Sequence, residues 1–117
     1  MTAFEHVAAR DPASTLLFIC DHASAALPEG ANGLGLDPGL FQTHIAYDIG
    51  AAFVTRALAA RFGAAAVLGR WSRLLIDLNR GADDPTLVMK LSDGSLIPGN
   101  RDAGAEEVQH RIREFHE

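Results

Sequence analysis

The feature that most constrains the fold of this chain is a short run at residues 15–20 in which five of six side chains are apolar (TLLFIC). Polar residues do not alternate with apolar ones along it, as they do in a strand that exposes one face to water. The run is too short for a buried helix and is typical of a strand covered on both faces in a parallel sheet. We therefore expect an α/β protein.

The segments that follow indicate how such a sheet is connected. Residues 21–43, rich in glycine and proline, predict a long loop with one helical turn near Leu40. Residues 44–62 carry apolar side chains at spacings of three and four, which predicts a helix capped at Gly63. Further strands are predicted at residues 64–68 and 73–78, an extended piece at 95–97 and a last helix at 103–116, with no regular structure at 1–13. Strands alternating with helices predict a three-layer α/β/α arrangement around a mixed, mostly parallel sheet.

The size, charge and cysteine content of the chain exclude several classes of function. Its 117 residues suffice for one small domain, and a net charge of -5 without a basic stripe argues against a nucleic-acid partner. The single cysteine, Cys20, cannot form an internal disulfide, and residues 1–10 lack the apolar core of a signal peptide. No apolar run approaches the roughly 20 residues that cross a bilayer. We expect a cytoplasmic protein whose partner is a small molecule, without a membrane.

The first candidate site directly follows the predicted strand, at residues 21–24 (DHAS). Ligands of open α/β sheets bind beyond the carboxyl ends of the strands. His22 is there a candidate metal ligand or general base, and Asp21 a carboxylate that orients its ring. Ser24 has no G-x-S-x-G setting, which argues against a serine-hydrolase nucleophile. The alternative is a loop histidine that caps a turn.

The second candidate is the pair His44 and Asp48. Residues four apart on a helix point to the same side, so the predicted helix brings this nitrogen and this oxygen together. Such a pair can chelate a divalent metal. The alternative is an ion pair at a helix start, where the negative charge of Asp48 suits the helix dipole.

The third candidate is the segment SRLLIDLNR at residues 72–80. In the predicted strand, Arg73, Asp77 and Asn79 alternate with apolar residues and share one face. Burial of such groups is costly unless they are paired or bound to a ligand. The row therefore either binds a ligand or forms an internal Arg–Asp pair that holds the sheet together. Arg80, at the end of the segment, is placed to hold a substrate carboxylate.

Taken together, these segments resemble one family, the N-formylglutamate amidohydrolases. Each block by itself is a weak sign, whereas their order over residues 20–100 is specific. The blocks are CDHAS at residues 20–24 with Pro28, GLD at 35–37, HIAYDIGA at 44–51, SRLLIDLNR at 72–80 and IPGN at 97–100.

The resemblance implies a three-layer α/β hydrolase related in fold to the zinc carboxypeptidases and similar hydrolases. It implies zinc-dependent hydrolysis of the amide of an N-acyl amino acid, such as N-formyl-L-glutamate to formate and glutamate, in histidine breakdown. By position, His22 would be a metal ligand, Asp48 a second ligand or general base, and His44 would serve either role. The implied substrate-binding residues are Ser24, Arg73, Asn79 and Arg80.

Family members are longer than this chain, and their later segments carry further histidine motifs. A catalytic zinc usually has three protein ligands, whereas this sequence offers two, or three with His44. We therefore expect residues 1–117 to be one partial domain, the N-terminal portion of an amidohydrolase. Its activity alone would be weak or absent, and its sheet edge and apolar surface would lie uncovered. The alternatives are a non-catalytic domain that binds acidic acyl amino acids and a structural remnant without a ligand.

Overall fold

A computed structural model describes residues 2–117 and shows a mixed sheet of three strands. The strands are β1 (Phe4–Val7), β2 (Leu17–Cys20) and β3 (Ala65–Gly69), in the order β1-β3-β2. β2 runs parallel to β3, whereas β1 runs antiparallel to it. The α/β class, the mixed sheet, β2 and β3 are thus confirmed. The prediction that residues 1–13 lack regular structure is wrong for β1, which owes its order to pairing with residues 59 to 65 positions further along the chain.

One face of this sheet is packed and the other is bare. Helix α1 (Ala51–Phe62) covers the face that carries Ala66 and Leu68, which are buried. Phe18 of β2 stacks on Phe62 of this helix with the ring centroids 6.0 Å apart. Cys20 lies on the same side and packs against this cluster, whereas Leu17 and Ile19 point away from the helix and are exposed. The prediction that β2 is buried on both faces is therefore wrong for residues 2–117, since none of their elements covers the second face.

Helix α1 begins later than its apolar spacing predicted. Gly50 precedes it in the left-handed region, with φ +84°, and residues 44–50 form turns. The helix ends where predicted, because the N–H of Gly63, at φ +62°, closes the last turn on Ala59 and Ala60. His44 and Asp48 consequently do not share a helix face, and that argument for pairing them is wrong.

The predicted strand at residues 73–78 is also wrong. The segment is a buried, turn-rich loop in which Leu74, Leu75 and Ile76 are at most 3% exposed. Other loops supply hydrogen bonds to its backbone: Ser72 N–H donates to Ala26 O at 2.7 Å and Asp77 N–H to Leu87 O at 2.9 Å. Its apolar pattern therefore indicated burial correctly, but burial does not require a strand when neighbouring loops satisfy the backbone.

The rest of the chain consists of short elements that enclose this loop. The predicted helical turn near Leu40, extended piece near residue 96 and C-terminal helix are all present. No helix within residues 2–117 is long and apolar enough to cross a membrane. The elements are 3-10 turns at Asn32–Gly35 and Pro38–Gln42, the hairpin of β4 (Leu91–Ser92) and β5 (Ser95–Leu96), and the helices α2 (Pro98–Arg101) and α3 (Ala105–Arg111), the last continuing as a π-helical turn at Ile112–His116.

Candidate active site

His22 lies immediately after β2, and its imidazole stands between two carboxylates. Its Nε2 is 2.6 Å from Oδ1 of Asp77, and its Nδ1 is 3.4 Å from Oδ2 of Asp48. The backbone fixes the arrangement as well, since the N–H of Asp48 donates to the carbonyl of His22 at 3.0 Å. The structure thus brings together three segments of the chain, since Asp48 and Asp77 follow His22 by 26 and 55 residues in sequence.

The inner carboxylate, Asp77, is 2% exposed. Burial raises its pKa, but hydrogen bonds from His22 and the Asn79 N–H, the charge of His22 and a hydrogen bond from Arg80 together lower that pKa below its ordinary value. Asp77 is therefore ionised and can only accept hydrogen bonds, so Nε2 of His22 must carry the proton. Whenever Nδ1 carries no proton, its lone pair therefore lies toward Asp48.

The outer carboxylate, Asp48, is exposed and divides its oxygens between two neighbours. Nη2 of Arg73 donates to Oδ1, while Oδ2 faces Nδ1 of His22. The separation of 3.4 Å exceeds the usual 2.7–3.2 Å of a nitrogen–oxygen hydrogen bond. Two atoms with lone pairs thus face each other across a gap that suits a cation, either a proton or a metal ion.

The structure distributes the predicted substrate-binding residues over different places. Arg80 donates from Nε to Asp77 Oδ2 at 3.1 Å and from Nη1 to Thr86 Oγ1 at 2.6 Å. Arg–Asp pairs therefore hold this segment, as one of the two alternatives predicted. The partner of Arg73 is Asp48, however, and the pair does not lie within a strand. Asn79 lines the cleft beside His22. Ser24 instead accepts the N–H of Ala26 at 3.0 Å in a local turn and lines a separate depression.

His44 lies outside this cluster, on a surface turn. Its side chain is 71% exposed, and its Nε2 is 2.9 Å from Oδ2 of Asp93 in the turn between β4 and β5. It is not among the residues that line the cleft at His22. The catalytic role of His44 stays a prediction, and the structure does not bring it together with His22 and Asp48.

The cleft itself has a volume of about 570 Å³ and is open to solvent. Polar groups of His22, Asp48 and Asn79 meet there with apolar side chains from β2 and α1. Its lining consists of Ile19, Cys20, Asp21, His22, Asp48, Ile49, Gly50, Ala51, Val54, Thr55 and Asn79.

A buried polar network behind the cleft was not found from the sequence. Asn100 is fully buried, and its Nδ2 donates to the carbonyls of Leu74 and Met89 at 2.7 Å. Nη1 of Arg111 donates to Asn100 Oδ1 at 2.6 Å and to Leu75 O at 2.9 Å. The two side chains thus clamp the loop between Arg73 and Asp77. Helical spacing offered a sign of this, since residue 111 falls on the apolar stripe of residues 108, 112 and 115.

The donors for a metal ion are fewer than a catalytic zinc requires. Within residues 2–117 there is no group of three or more His, Cys, Asp or Glu side chains that could hold a metal. The two residues predicted as metal ligands, His22 and Asp48, do lie together. Asp77 orients the histidine ring. This is the role that was predicted for Asp21.

One family model and one solved structure are similar to the chain. A model of the family described as N-formylglutamate amidohydrolase matches residues 14–117. The crystal structure of a gene product from Agrobacterium tumefaciens is similar with a TM-score of 0.90 and 35% sequence identity. The similarity covers 98% of this chain and 45% of that one, so this chain spans less than half the length of that relative. No curated protein matches the chain.

Proposed function

The chain belongs to the N-formylglutamate amidohydrolase family, and we propose that it carries part of the active site of a metal-dependent amidohydrolase. The proposed reaction is hydrolysis of the amide bond of an N-acyl amino acid, such as N-formyl-L-glutamate to formate and L-glutamate. The observation that carries the proposal is His22, held between Asp77 and Asp48 at the carboxyl end of β2.

The geometry at His22 fits a divalent metal ion, with zinc as our proposal. Two ligands at about 2.0–2.2 Å from one tetrahedral zinc lie roughly 3.3–3.5 Å apart, and Nδ1 of His22 and Oδ2 of Asp48 are 3.4 Å apart. A metal-bound histidine ordinarily donates its other N–H to a carboxylate, which is the contact from Nε2 to Asp77. His22 and Asp48 would therefore hold the ion, with Asp77 as the residue that orients the ring.

The side chains around this pair have complementary roles in the proposed reaction. A bound metal would polarise the scissile carbonyl and acidify water. Water adds to the acyl carbon, the carbon–nitrogen bond breaks and the amine takes a proton. Asp48, which is exposed, is the alternative acceptor for the proton of the attacking water. Arg73 and Arg80 hold Asp48 and Asp77 in place and present further N–H donors to substrate carboxylates, with Asn79 beside them.

The proposal extends to the fold. We propose that the complete enzyme has three layers and is related to the zinc carboxypeptidases, with α1 forming one helical layer. The bare second face of the sheet supports this, because parallel strands are normally covered on both faces.

A second candidate function is a non-catalytic domain that binds acidic acyl amino acids. The observation in its favour is the number of metal donors, two at the cleft within residues 2–117. The two candidates differ in their need for metal. Binding of N-formyl-L-glutamate that is indifferent to a chelator would favour the second.

Metal binding, measured by calorimetry with zinc, tests the first candidate directly. We expect His22→Ala and Asp48→Ala to weaken binding more than Asp77→Asn, for which the loss is about 10–100-fold. The matched control is His6→Ala, an exposed histidine of β1, which should bind zinc like the parent chain. Weaker zinc binding in His44→Ala would support the predicted role of His44 at the metal, and unchanged binding would contradict it.

Formate release from N-formyl-L-glutamate is measured in the same samples, with folding checked by circular dichroism. Release that requires zinc and disappears in His22→Ala supports the amidohydrolase. Zinc binding that is unchanged in His22→Ala would refute the proposed metal site.

A further inference from the structure

The guanidinium group of Arg111 is buried, yet only part of its hydrogen-bonding capacity is used. The residue is 6% exposed. Its Nε donates to Glu107 Oε1 at 2.9 Å, and its Nη1 donates to Leu75 O and Asn100 Oδ1. Its Nη2 has no hydrogen-bond partner within residues 2–117. A charged group that is so little exposed is costly to leave without partners, so this arm requires an acceptor.

The free arm of Arg111 is not sealed inside the protein. The buried side-chain nitrogens that lack a partner in residues 2–117 belong to Arg70, Trp71 and Arg73. Nη2 of Arg111 is not one of them, so solvent reaches it. Arg111 also lines a cavity of about 550 Å³, which we call the Arg111 cavity. The residues of its lining that matter here are Glu29, Leu34, Leu75, Glu107, Arg111 and Phe115.

The Arg111 cavity is separate from the cleft at His22, because the two have no lining residue in common. A molecule in the cavity would not touch the proposed metal ligands. What we infer about the cavity therefore does not rest on the proposed function.

The walls of the Arg111 cavity combine apolar side chains with carboxylates. Leu34 and Leu75 are 2% and 3% exposed, and Phe115 is half-buried. Glu29 and Glu107 are exposed beside them. Glu29 and Oε2 of Glu107 have no side-chain partner in the part of the chain that the structure describes. A ligand thus meets one N–H donor, two carboxylates that can accept and an apolar surface.

One wall of the Arg111 cavity is a loop with an unusual backbone. Asn32 and Leu34 have φ angles of +52° and +53°, in the left-handed region that costs a side chain about 1–2 kcal/mol per residue. Such residues cluster at ligand clamps and persist where the surroundings fix them. Gly99 helps to fix this loop, since a Cβ there would lie 2.7 Å from Cα of Leu34. The wall is therefore held in one shape.

We propose that the Arg111 cavity binds a small zwitterion, namely an α-amino acid with an apolar side chain. Its carboxylate accepts from Nη2 of Arg111, a charge-assisted pairing that guanidinium groups favour. Its ammonium group faces Glu29 and Glu107, and its side chain covers Leu34 and Phe115. Carboxylates outnumber the guanidinium among the charged lining residues, so a simple anion is disfavoured. A simple cation would leave Nη2 without its acceptor.

An NMR titration of the isotope-labelled chain with L-leucine, run with a chelator present, tests the proposal. We expect saturable shifts of the backbone amides in the cavity wall, at residues 30–35 and at Gly99. Two probes of similar shape each lack one charge: L-leucinamide has no carboxylate and isocaproate has no ammonium group. Each should bind at least about tenfold more weakly, because each loses one charge-assisted contact.

A substitution at the buried arginine separates the cavity from the cleft. Arg111→Lys keeps the positive charge and can still donate to Leu75 and Asn100, but it lacks the Nη2 arm. We expect leucine to bind at least about tenfold more weakly to this variant. Arg73→Lys, the same change at the cleft, is the matched control and should bind leucine like the parent chain.

A second variant tests the ammonium contact without disturbing the clamp. Glu29→Gln, at an exposed position of the cavity, should weaken leucine binding about two- to fivefold, as expected for an exposed ion pair. Glu106→Gln, at an exposed glutamate outside the lining, is its control and should have no effect. Glu29→Gln also decides the question if circular dichroism shows that Arg111→Lys does not fold.

The proposal is overturned if L-leucine produces no saturable shifts, or if isocaproate binds as tightly as leucine. It is also overturned if Glu29→Gln and Glu106→Gln bind leucine equally. Weaker binding in Arg73→Lys with unchanged binding in Arg111→Lys would place leucine in the cleft and refute the second site. Zinc binding at His22 can fail without changing any of these results.

Discussion

Two runs of nearly the same composition end in opposite surroundings. Residues 74–76 read LLI and residues 16–19 read LLFI. Leu74, Leu75 and Ile76 are almost completely buried although they form no strand, whereas Leu17 and Ile19 are exposed although they belong to one. The first run is enclosed by two apolar clusters and a polar clamp, and the second is covered on one face only. An apolar run thus indicates a need for cover, and the rest of the molecule decides whether that cover is present.

The largest effect is expected from removing the clamp on the enclosed run. Asn100→Ala leaves the carbonyls of Leu74 and Met89 without a buried donor, each costing about 1–3 kcal/mol, and removes one of the two acceptors of Arg111 Nη1. We expect the free energy of unfolding, measured by urea denaturation, to fall by about 4 kcal/mol or more. Asn79→Ala, at an exposed asparagine, is the control and should leave stability nearly unchanged. Equal effects at the two positions would contradict a structural role for the clamp.

The comparison of the two runs is tested most directly by matched leucines. Leu74→Ala should cost about 3 kcal/mol, because it leaves a cavity in a buried cluster. Leu17→Ala should change stability by no more than about 0.5 kcal/mol in the isolated chain. The same urea titration measures both. A large loss in Leu17→Ala would mean that the bare face is already covered, for example by self-association.

A smaller effect is expected where the enclosed loop meets the sheet. A Cβ at Gly69 would lie 2.5 Å from the carbonyl oxygen of Asp21 and 2.8 Å from Cδ1 of Leu78. Gly69→Ala should therefore cost about 1–3 kcal/mol by overpacking, read from thermal unfolding. Gly104→Ala, where no atom lies within 4 Å, is the control. Stability that is unchanged in Gly69→Ala would show that the sheet and the loop pack less closely than described.

The smallest effect is a dependence of stability on pH. The pKa of Asp77 is lower in the folded chain than its ordinary value of 3.8. Its contribution is thus fully present above that value and is lost as the pH falls through the lower folded pKa. We expect the parent chain to lose stability on acidification and Asp77→Asn to lack this component. Chemical denaturation at neutral and acidic pH measures the difference between the two chains, which should shrink as the pH falls. A difference that stays constant would contradict the lowered pKa.

The sequence singled out several residues that the fold brings together, but it placed some of them on elements that do not form. His22, Asp48, Arg73 and Arg80 come together as contacts of one cluster. The arguments for their positions partly failed, because Asp48 precedes the helix and Arg73 lies in a loop. The types of the motif residues and the order of the motifs along the chain were sufficient to establish the resemblance. Local periodicity, by contrast, cannot distinguish a buried strand from a buried loop.

By itself, the sequence determined the α/β class and the family, since these follow from the order of its apolar runs and of its motifs. Only the tertiary structure decided that Asp77, and not Asp21, orients His22, and that Asn100 and Arg111 hold the loop. It also decided that β2 keeps one face and one edge bare. These facts depend on contacts between residues up to 55 positions apart, and hydrogen bonds and packing over such separations are set by how the whole chain folds, not by any local pattern.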